Sequence, residues 1–371
     1  MRHPLLQKYR ETGKNDEKTG KFETRKNMPK VKGEINLFLD LSHKKYGKNE
    51  KCTGNSIGSK EKFMGNNVNS AGKILLIATG GTIACRETGH GLMPVLDGEG
   101  LLRELPELSG VCGVEVLDLM QRDSTDITAD DRMQMARAVW ENRGAYDGFV
   151  IAHGTDTLAC TAALLHHLLP HIDRPVVVTG SMLPMGAEGS DAPGNLLDAL
   201  RVAADGRRGV YAVLRGSILR GTNVLKVHST ALDAFVSANE PPAGRVADGN
   251  VIWDAPAPAE GTPRLVQRLE PHVFVLRLTP DLPPSFFSVL HGFPSVIIET
   301  FGGGGIPAHM EQAVRALIAD GTRVFLTTQC VEGGVHLHKY EVGRRAEAMG
   351  AVSLGMRTVE DALAAIMCGE L

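Results

Sequence analysis

Three segments of this 371-residue chain end an apolar run in a cluster of hydroxyl-bearing residues and glycine. "KILLIATGGT" closes on Thr79-Gly80-Gly81-Thr82, "DGFVIAHGTDT" on His153-Gly154-Thr155-Asp156-Thr157, and "PVVVTGSM" on Thr179-Gly180-Ser181-Met182. In open parallel sheets, ligands bind beyond the carboxyl ends of the strands. Hydroxyls at those ends therefore face the place where chemistry is done. Glycine lets the backbone turn sharply and lets a ligand come close, and threonine adds a stiff side chain with a hydroxyl. The first cluster can be a turn, a phosphate cradle or the seat of a nucleophile. The cradle is the weakest reading, because "TGGT" is not G-x-G-x-x-G and no acidic residue follows at the ribose position. In the second cluster Thr157 reads as a helix N-cap, while Thr155 and Asp156 precede that helix and read as crevice-facing.

Lys226 is a further candidate. After residue 70 the chain has only three lysines, Lys73, Lys226 and Lys339, and otherwise uses arginine. A desolvated lysine can lose its proton and act as a base, which arginine cannot. Rarity alone leaves Lys226 open between that role and a solvated surface group. "GGGG" at 302–305 reads as a flexible turn rather than an anion nest. No metal site is expected: His167 and His171 are separated by Pro170 and lack a third ligand, so they read as a surface or core pair. After residue 70 no G-x-S-x-G occurs, which argues against a serine hydrolase of that kind.

The elements that must position these residues alternate. Strands are expected at 73–79, 113–118, 147–152, 174–179, 209–215, 272–278, 294–299 and 323–328. Helices are expected at 130–143, 157–169, 193–204, 308–320 and 358–368. This alternation predicts an α/β fold with a parallel sheet covered on both faces. The Pro- and Ala-rich "DAPAPAEGTPR" (254–264) reads as the connection, with the linker proper at 256–264. It would divide a larger domain, 71–255, from a smaller one, 265–371.

Residues 1–70 are a different text. They carry a charge near +8, mostly from lysine, against about −11 for the rest. They show little apolar periodicity and read as a disordered basic tail, either an arm for an acidic partner or a mis-called start or fused upstream sequence, with Met64 as a sensible alternative start. Deleting residues 1–63 is expected to leave melting temperature and activity unchanged; losing either on truncation would tie the tail to the core. The net charge of −3 argues against general nucleic-acid affinity. No apolar run reaches membrane-span length, and "MRHPLLQKYR" lacks the apolar stretch of a signal peptide. Six cysteines without C-x-x-C pairing suggest free thiols in a reducing, cytoplasmic setting.

Taken together, "ATGGTIAC", "RDSTDIT" (122–128), "DGFVIAHGTDTLACTA", "VVVTGSMLP" and "SDAPGNLLDAL" resemble the bacterial L-asparaginase family. "VLKVHSTALDAFVSANEPP" and "LTTQCVEGGVHLHKYEVG" resemble its cytoplasmic, type I branch. The resemblance covers about residues 72–371. It implies a larger doubly wound parallel-sheet α/β domain plus a smaller C-terminal α/β domain. It also implies a homodimer or homotetramer, and hydrolysis of L-asparagine to L-aspartate and ammonia without a cofactor. It assigns Thr82 as the nucleophile, which needs a neighbouring base. Lys226 would be that base, Thr155 would relay the proton or activate water, and Asp156 would hold Lys226 and bind the substrate ammonium. Asp123, Ser124 and Thr125 would grip the α-carboxylate and α-amine, and backbone N–H groups around Thr155 would face the developing oxyanion.

Two positions depart from the pattern. The family's lid loop often reads "GYIP" but here reads "GLMP", putting Leu92 where a tyrosine hydroxyl assists the first threonine. Leucine can close a lid but cannot relay a proton, which implies a lower kcat unless nearby His90 substitutes. The family's "YGxGN" is "FGGGG", with Gly305 where asparagine often serves a neighbouring subunit. Two other functions share these motifs. One is the ammonia-releasing subunit of a tRNA-dependent amidotransferase, which needs a partner. The other is an amino-acid-binding homologue with weak turnover.

Overall fold

Residues 73–80 form β1 (Lys73–Gly80), buried at every residue after Lys73. A continuous apolar run, rather than alternation, is what a parallel strand covered on both faces requires. The computed structural model describes residues 72–371 apart from 90, 106–110 and 271, all within one compact unit, Lys60–Leu371. The basic tail, read at 1–70, and His90 lie outside the described residues.

After β1 come the hairpin strands β2 (Cys85–Thr88) and β3 (Gly91–Pro94), then α1 (Gly98–Arg103), β4 (Gly113–Arg122) and α2 (Ala129–Asn142). β5 (Gly148–Ala152), α3 (Leu158–Leu168), β6 (Pro175–Thr179), α4 (Ala192–Asp205) and β7 (Gly209–Leu214) follow. Five short strands succeed them: β8 (Ser217–Arg220), β9 (Val224–Lys226), β10 (Phe235–Ser237), β11 (Gly244–Ala247) and β12 (Asn250–Trp253). The main sheet has eight strands in the order β12-β11-β8-β7-β6-β5-β1-β4. β4, β1, β5, β6 and β7 are mutually parallel, whereas β8, β11 and β12 run antiparallel at one edge. That antiparallel edge departs from the wholly parallel sheet read from the alternation. No crossover helix separates these strands, and short connections permit antiparallel pairing only.

Successive β1 residues supply both cores. Ile74 and Leu76 pack with Leu101, Leu196 and Leu200, while Leu75 and Ile77 pack with Met135, Val139, Leu158 and Leu165 on the other face. Full burial of each such side chain is worth roughly 1.5–3 kcal/mol, so the strand ends are held by a stiff base. Helix α2 starts where Thr128 and Asp131 form a reciprocal capping box, fixing its first turn.

A second sheet, all parallel, has the order β13-β14-β15-β16, formed by β13 (Val273–Arg277), β14 (Ser295–Thr300), β15 (Arg323–Thr328) and β16 (Val352–Ser353). It is flanked by α5 (Glu311–Ala319), α6 (Glu341–Ala348) and α7 (Val359–Met367). The larger doubly wound sheet and the smaller C-terminal parallel sheet are the α/β architecture expected. The last helix is fastened to the first lobe through His167 of α3. This buried ring reaches Asp361 Oδ1 at 2.8 Å and Glu370 Oε2 at 2.7 Å. Burial works against its charge, but the hydrogen bonds and charges of Asp361 and Glu370 outweigh burial and raise its pKa. His167 is thus a core residue held by carboxylates rather than one of a pair with His171. No described helix is long and apolar enough to cross a membrane.

Candidate active site

Strand β1 leads on to β4 at one edge, and β5 leads on to β6 in the opposite direction. The reversal lies between β1 and β5, and a crevice at such a switch point is where doubly wound sheets bind ligands. The first and second hydroxyl clusters leave the sheet at these two strands.

Both glycines of "TGGT" have left-handed φ, +100° at Gly80 and +76° at Gly81, a region other residues enter only with strain. Space is equally restrictive. A Cβ on Gly81 would fall 2.2 Å from Gly154 Cα, and one on Gly154 would fall 2.7 Å from Ser124 Oγ. The ends of β1 and β5 therefore meet backbone to backbone, with the Ser124 side chain from the end of β4 packed against Gly154. Thr82, Ser124 and Thr155 each sit on that contact or one residue from it. Thr82 opens a single 3-10 turn, Thr82–Ala84, and is partly exposed. Its hydroxyl makes no hydrogen bond among the described residues.

Lys226, at the end of β9, reaches the second cluster from some 70 residues away. Its Nζ donates to Thr155 Oγ1 at 2.9 Å and to Asp156 Oδ1 at 2.6 Å. Its side chain is 15% exposed and that of Asp156 58%. Thr155 is buried, so the charged pair lies at the mouth with the hydroxyl behind it. Lys226 is thereby a member of the site and not a free surface group. Thr155 Oγ1, having accepted from Lys226, keeps its own proton for donation.

Ser124 is buried and ties two strand ends together. Asp156 N donates to its Oγ at 3.2 Å and Thr157 Oγ1 to its carbonyl at 2.8 Å. Thr157 precedes α3 but makes no side-chain cap to it; its hydroxyl is spent on Ser124 instead, which corrects the N-cap reading. Asp123 and Thr125 are exposed beside Ser124, and Asp123 Oδ1 accepts from Thr125 N at 2.9 Å and Thr125 Oγ1 at 2.7 Å. They form the outer lip of the crevice. The third cluster is braced rather than free, since Asn195 Nδ2 donates to Gly180 O at 2.9 Å and Ser181 Oγ to Leu183 O at 2.5 Å.

No group of three or more His, Cys, Asp or Glu among the described residues is arranged to hold a metal ion. Gly305 has φ +123°, and a Cβ there would meet Val342 at 2.9 Å. The position is therefore packed for glycine, which explains why no asparagine stands there.

Residues 73–259 match the asparaginase N-terminal family model, and residues 272–369 match the glutaminase/asparaginase C-terminal domain. The chain belongs to the asparaginase family. Membership makes it an amidohydrolase. Relatives of known structure agree with the fold. The thermostable L-asparaginase of Thermococcus kodakarensis is 38% identical, with a TM-score of 0.76 over 80% of this chain and 92% of that one. L-asparaginase I of Vibrio cholerae is 28% identical, with a TM-score of 0.71 over 80% and 92%. A glutamyl-tRNA(Gln) amidotransferase component from Pyrococcus furiosus is 31% identical over 75% of this chain and 67% of its own length. An archaeal relative thus stands among the similar proteins, so the asparaginase-family likeness is not confined to bacteria.

Proposed function

We propose that this asparaginase-family chain hydrolyses the side-chain amide of L-asparagine to L-aspartate and ammonia, as a cytoplasmic enzyme of the type I branch. The observation that carries the reading is the Thr155–Lys226–Asp156 chain, joined at 2.9 and 2.6 Å, with Thr155 and Thr82 each one residue from the Gly81–Gly154 contact. In this reading Thr82 Oγ1 attacks the amide carbon. The Thr155–Lys226 pair accepts its proton and delivers one to the departing nitrogen, so ammonia leaves and an ester to Thr82 remains. Water, activated by the same pair, opens the ester and frees aspartate. Asp156 holds Lys226 and binds the substrate ammonium, while Asp123, Ser124 and Thr125 take the α-carboxylate and α-amine.

The carbonyl oxygen gains negative charge in both steps and needs fixed donors. Thr155 N–H is suited to that task. It lies in a residue only 4% exposed and has no partner among the described residues. An unmet buried donor costs on the order of 1–3 kcal/mol, a cost relieved when an oxyanion accepts from it. The β2–β3 hairpin follows Thr82 and is suited to act as the lid; Leu92 lies within it, with its backbone paired to Glu87. Five described cysteines, all free, fit a reducing compartment, and we infer a homodimer or homotetramer.

Ammonia release from asparagine, glutamine and buffer alone tests the reaction. Release from asparagine well above that from glutamine is expected. Release from neither would overturn it in favour of a binding protein. Release from glutamine alone, with a co-purifying partner protein and tRNA, would establish the amidotransferase instead.

A further inference from the structure

We infer that His153, held by Thr161 and Arg132, is a positioning residue that aims the Thr155 N–H at the reacting oxygen. The inference rests on the reading of Thr155 N–H as the oxyanion donor.

His153 directly follows β5 and is wholly buried. Its Nδ1 lies 2.7 Å from Gly154 O, and its Nε2 lies 3.0 Å from Thr161 Oγ1. Arg132 Nε donates to the same Thr161 oxygen at 2.8 Å. These contacts admit one arrangement of protons. A carbonyl oxygen only accepts, so Nδ1 carries the hydrogen. In a neutral ring Nε2 then accepts, and the Thr161 hydroxyl must donate to it. The hydroxyl oxygen is left to accept from Arg132. Every bond thus runs in one direction, from α2 through α3 and the imidazole to the Gly154 carbonyl.

The ring's environment keeps it in that state. Burial pushes the His153 pKa down to about 4; the Gly154 bond pulls it up, and the charge of Arg132 lowers it.

The peptide unit explains what the chain of bonds achieves. Gly154 C=O and Thr155 N–H belong to one planar trans amide and point in opposite directions. Fixing the oxygen toward the buried imidazole turns the N–H the other way and stops the unit from rotating. Gly154 needs that restraint, because it has no side chain and its backbone lies against Gly81 and Ser124. The next residue carries the hydroxyl that meets Lys226, so the same restraint sets Thr155 Oγ1.

Three variants, assayed as full-length protein with L-asparagine, test the inference. His153→Leu removes both ring bonds. Thr161→Val removes the hydroxyl at nearly constant shape. His153→Asn keeps a donor close to the Nδ1 position. His153→Leu is expected to lower kcat about 100-fold, the usual effect of losing an oxyanion donor, with KM within about twofold. Thr161→Val is expected to lower kcat about tenfold, and His153→Asn to recover most of what leucine loses. A purely structural histidine would instead lower melting temperature with kcat unchanged per folded molecule, and asparagine would not rescue it. If His153→Leu fails to fold, Thr161→Val and His153→Asn carry the same comparison. Wild-type turnover with all three variants within about threefold would overturn this inference alone. No turnover by the wild type would overturn the proposed reaction and this inference together.

Discussion

Thr82→Ala is expected to lower asparagine turnover by about 10³-fold or more, the scale on which nucleophile loss acts, while asparagine binding stays measurable. The separation follows from where the groups sit. Thr82 follows β1, whereas Ser124 follows β4, and Asp156 follows β5. The residues proposed to grip the substrate therefore survive the substitution. Losing one γ-carbon and one hydroxyl from a partly exposed residue that makes no side-chain hydrogen bond leaves the fold intact. Turnover is checked by ammonia release and binding by calorimetry. A rapidly quenched wild-type reaction should also carry aspartyl mass on the peptide holding Thr82. Retention of more than a few per cent of activity would remove Thr82 from the role. Thr155 would then replace it, since its hydroxyl is the one with an amine 2.9 Å away; Thr155→Val would abolish the remaining rate.

Much of the scaffold was legible because it is buried on both faces. β1, β5 and β6 are continuous apolar runs that stop at Thr, His or Gly, so their carboxyl ends could be located to within a residue or so. Helix α2 was expected at 130–143 and runs Ala129–Asn142, with the capping box of Thr128 and Asp131 fixing its start. The antiparallel edge and the separate two-stranded β9–β10 sheet were not legible. "SILR", "VLK", "FVS", "GRVA" and "NVIW" are strands of three or four residues, too short for a period and of mixed polarity because one edge meets solvent. Helix α1, "GEGLLR", begins with two glycines among its first three residues, poor helix formers; it forms because Asp97 caps it and Leu101 and Leu102 are buried. β4 runs four residues beyond its apolar start because, after a break in register past Ala78–Asp118, it pairs with β1 again at Gly80–Arg122.

The site divides in the same way. Thr82, Thr155 and Asp156 were readable because each follows a recognisable strand. Lys226 was ambiguous because its contacts span 70 and 71 residues, a separation no local pattern encodes. Ser124 was found through the family motif, but its service as a tie between β4 and β5 depends on the close approach of Gly154. His153 stood inside the "HGTDT" motif without a role, since its partners Thr161 and Arg132 lie on helices whose register only the folded chain fixes. Gly305 shows the converse. A missing asparagine reads as a loss of function in the sequence, whereas its φ and the nearness of Val342 show a position built for glycine.

Lys226→Met is expected to cost 10²–10⁴ in kcat, the usual worth of a positioned proton-transfer group. Methionine keeps the length and apolar stem of lysine but not its ammonium, so the β9–β10 pairing, Phe235 opposite Lys226 and Val236 opposite Leu225, remains. What is lost is the donor to Thr155 and the partner of Asp156. Lys226→Arg separates the two roles that lysine could be filling. Arginine preserves the positive charge beside Asp156 but stays protonated throughout the working pH range, so it cannot accept and return a proton. If the charge alone matters, arginine restores most of the rate that methionine removes. If lysine carries the proton between Thr82, Thr155 and the leaving nitrogen, the arginine variant stays as slow as methionine while KM moves little, because Asp156 still has a cation to hold it. Steady-state ammonia release for the two variants decides between these outcomes. A near-normal rate for Lys226→Met would reduce Lys226 to a structural partner of Thr155 and Asp156 and leave Thr155 without a base.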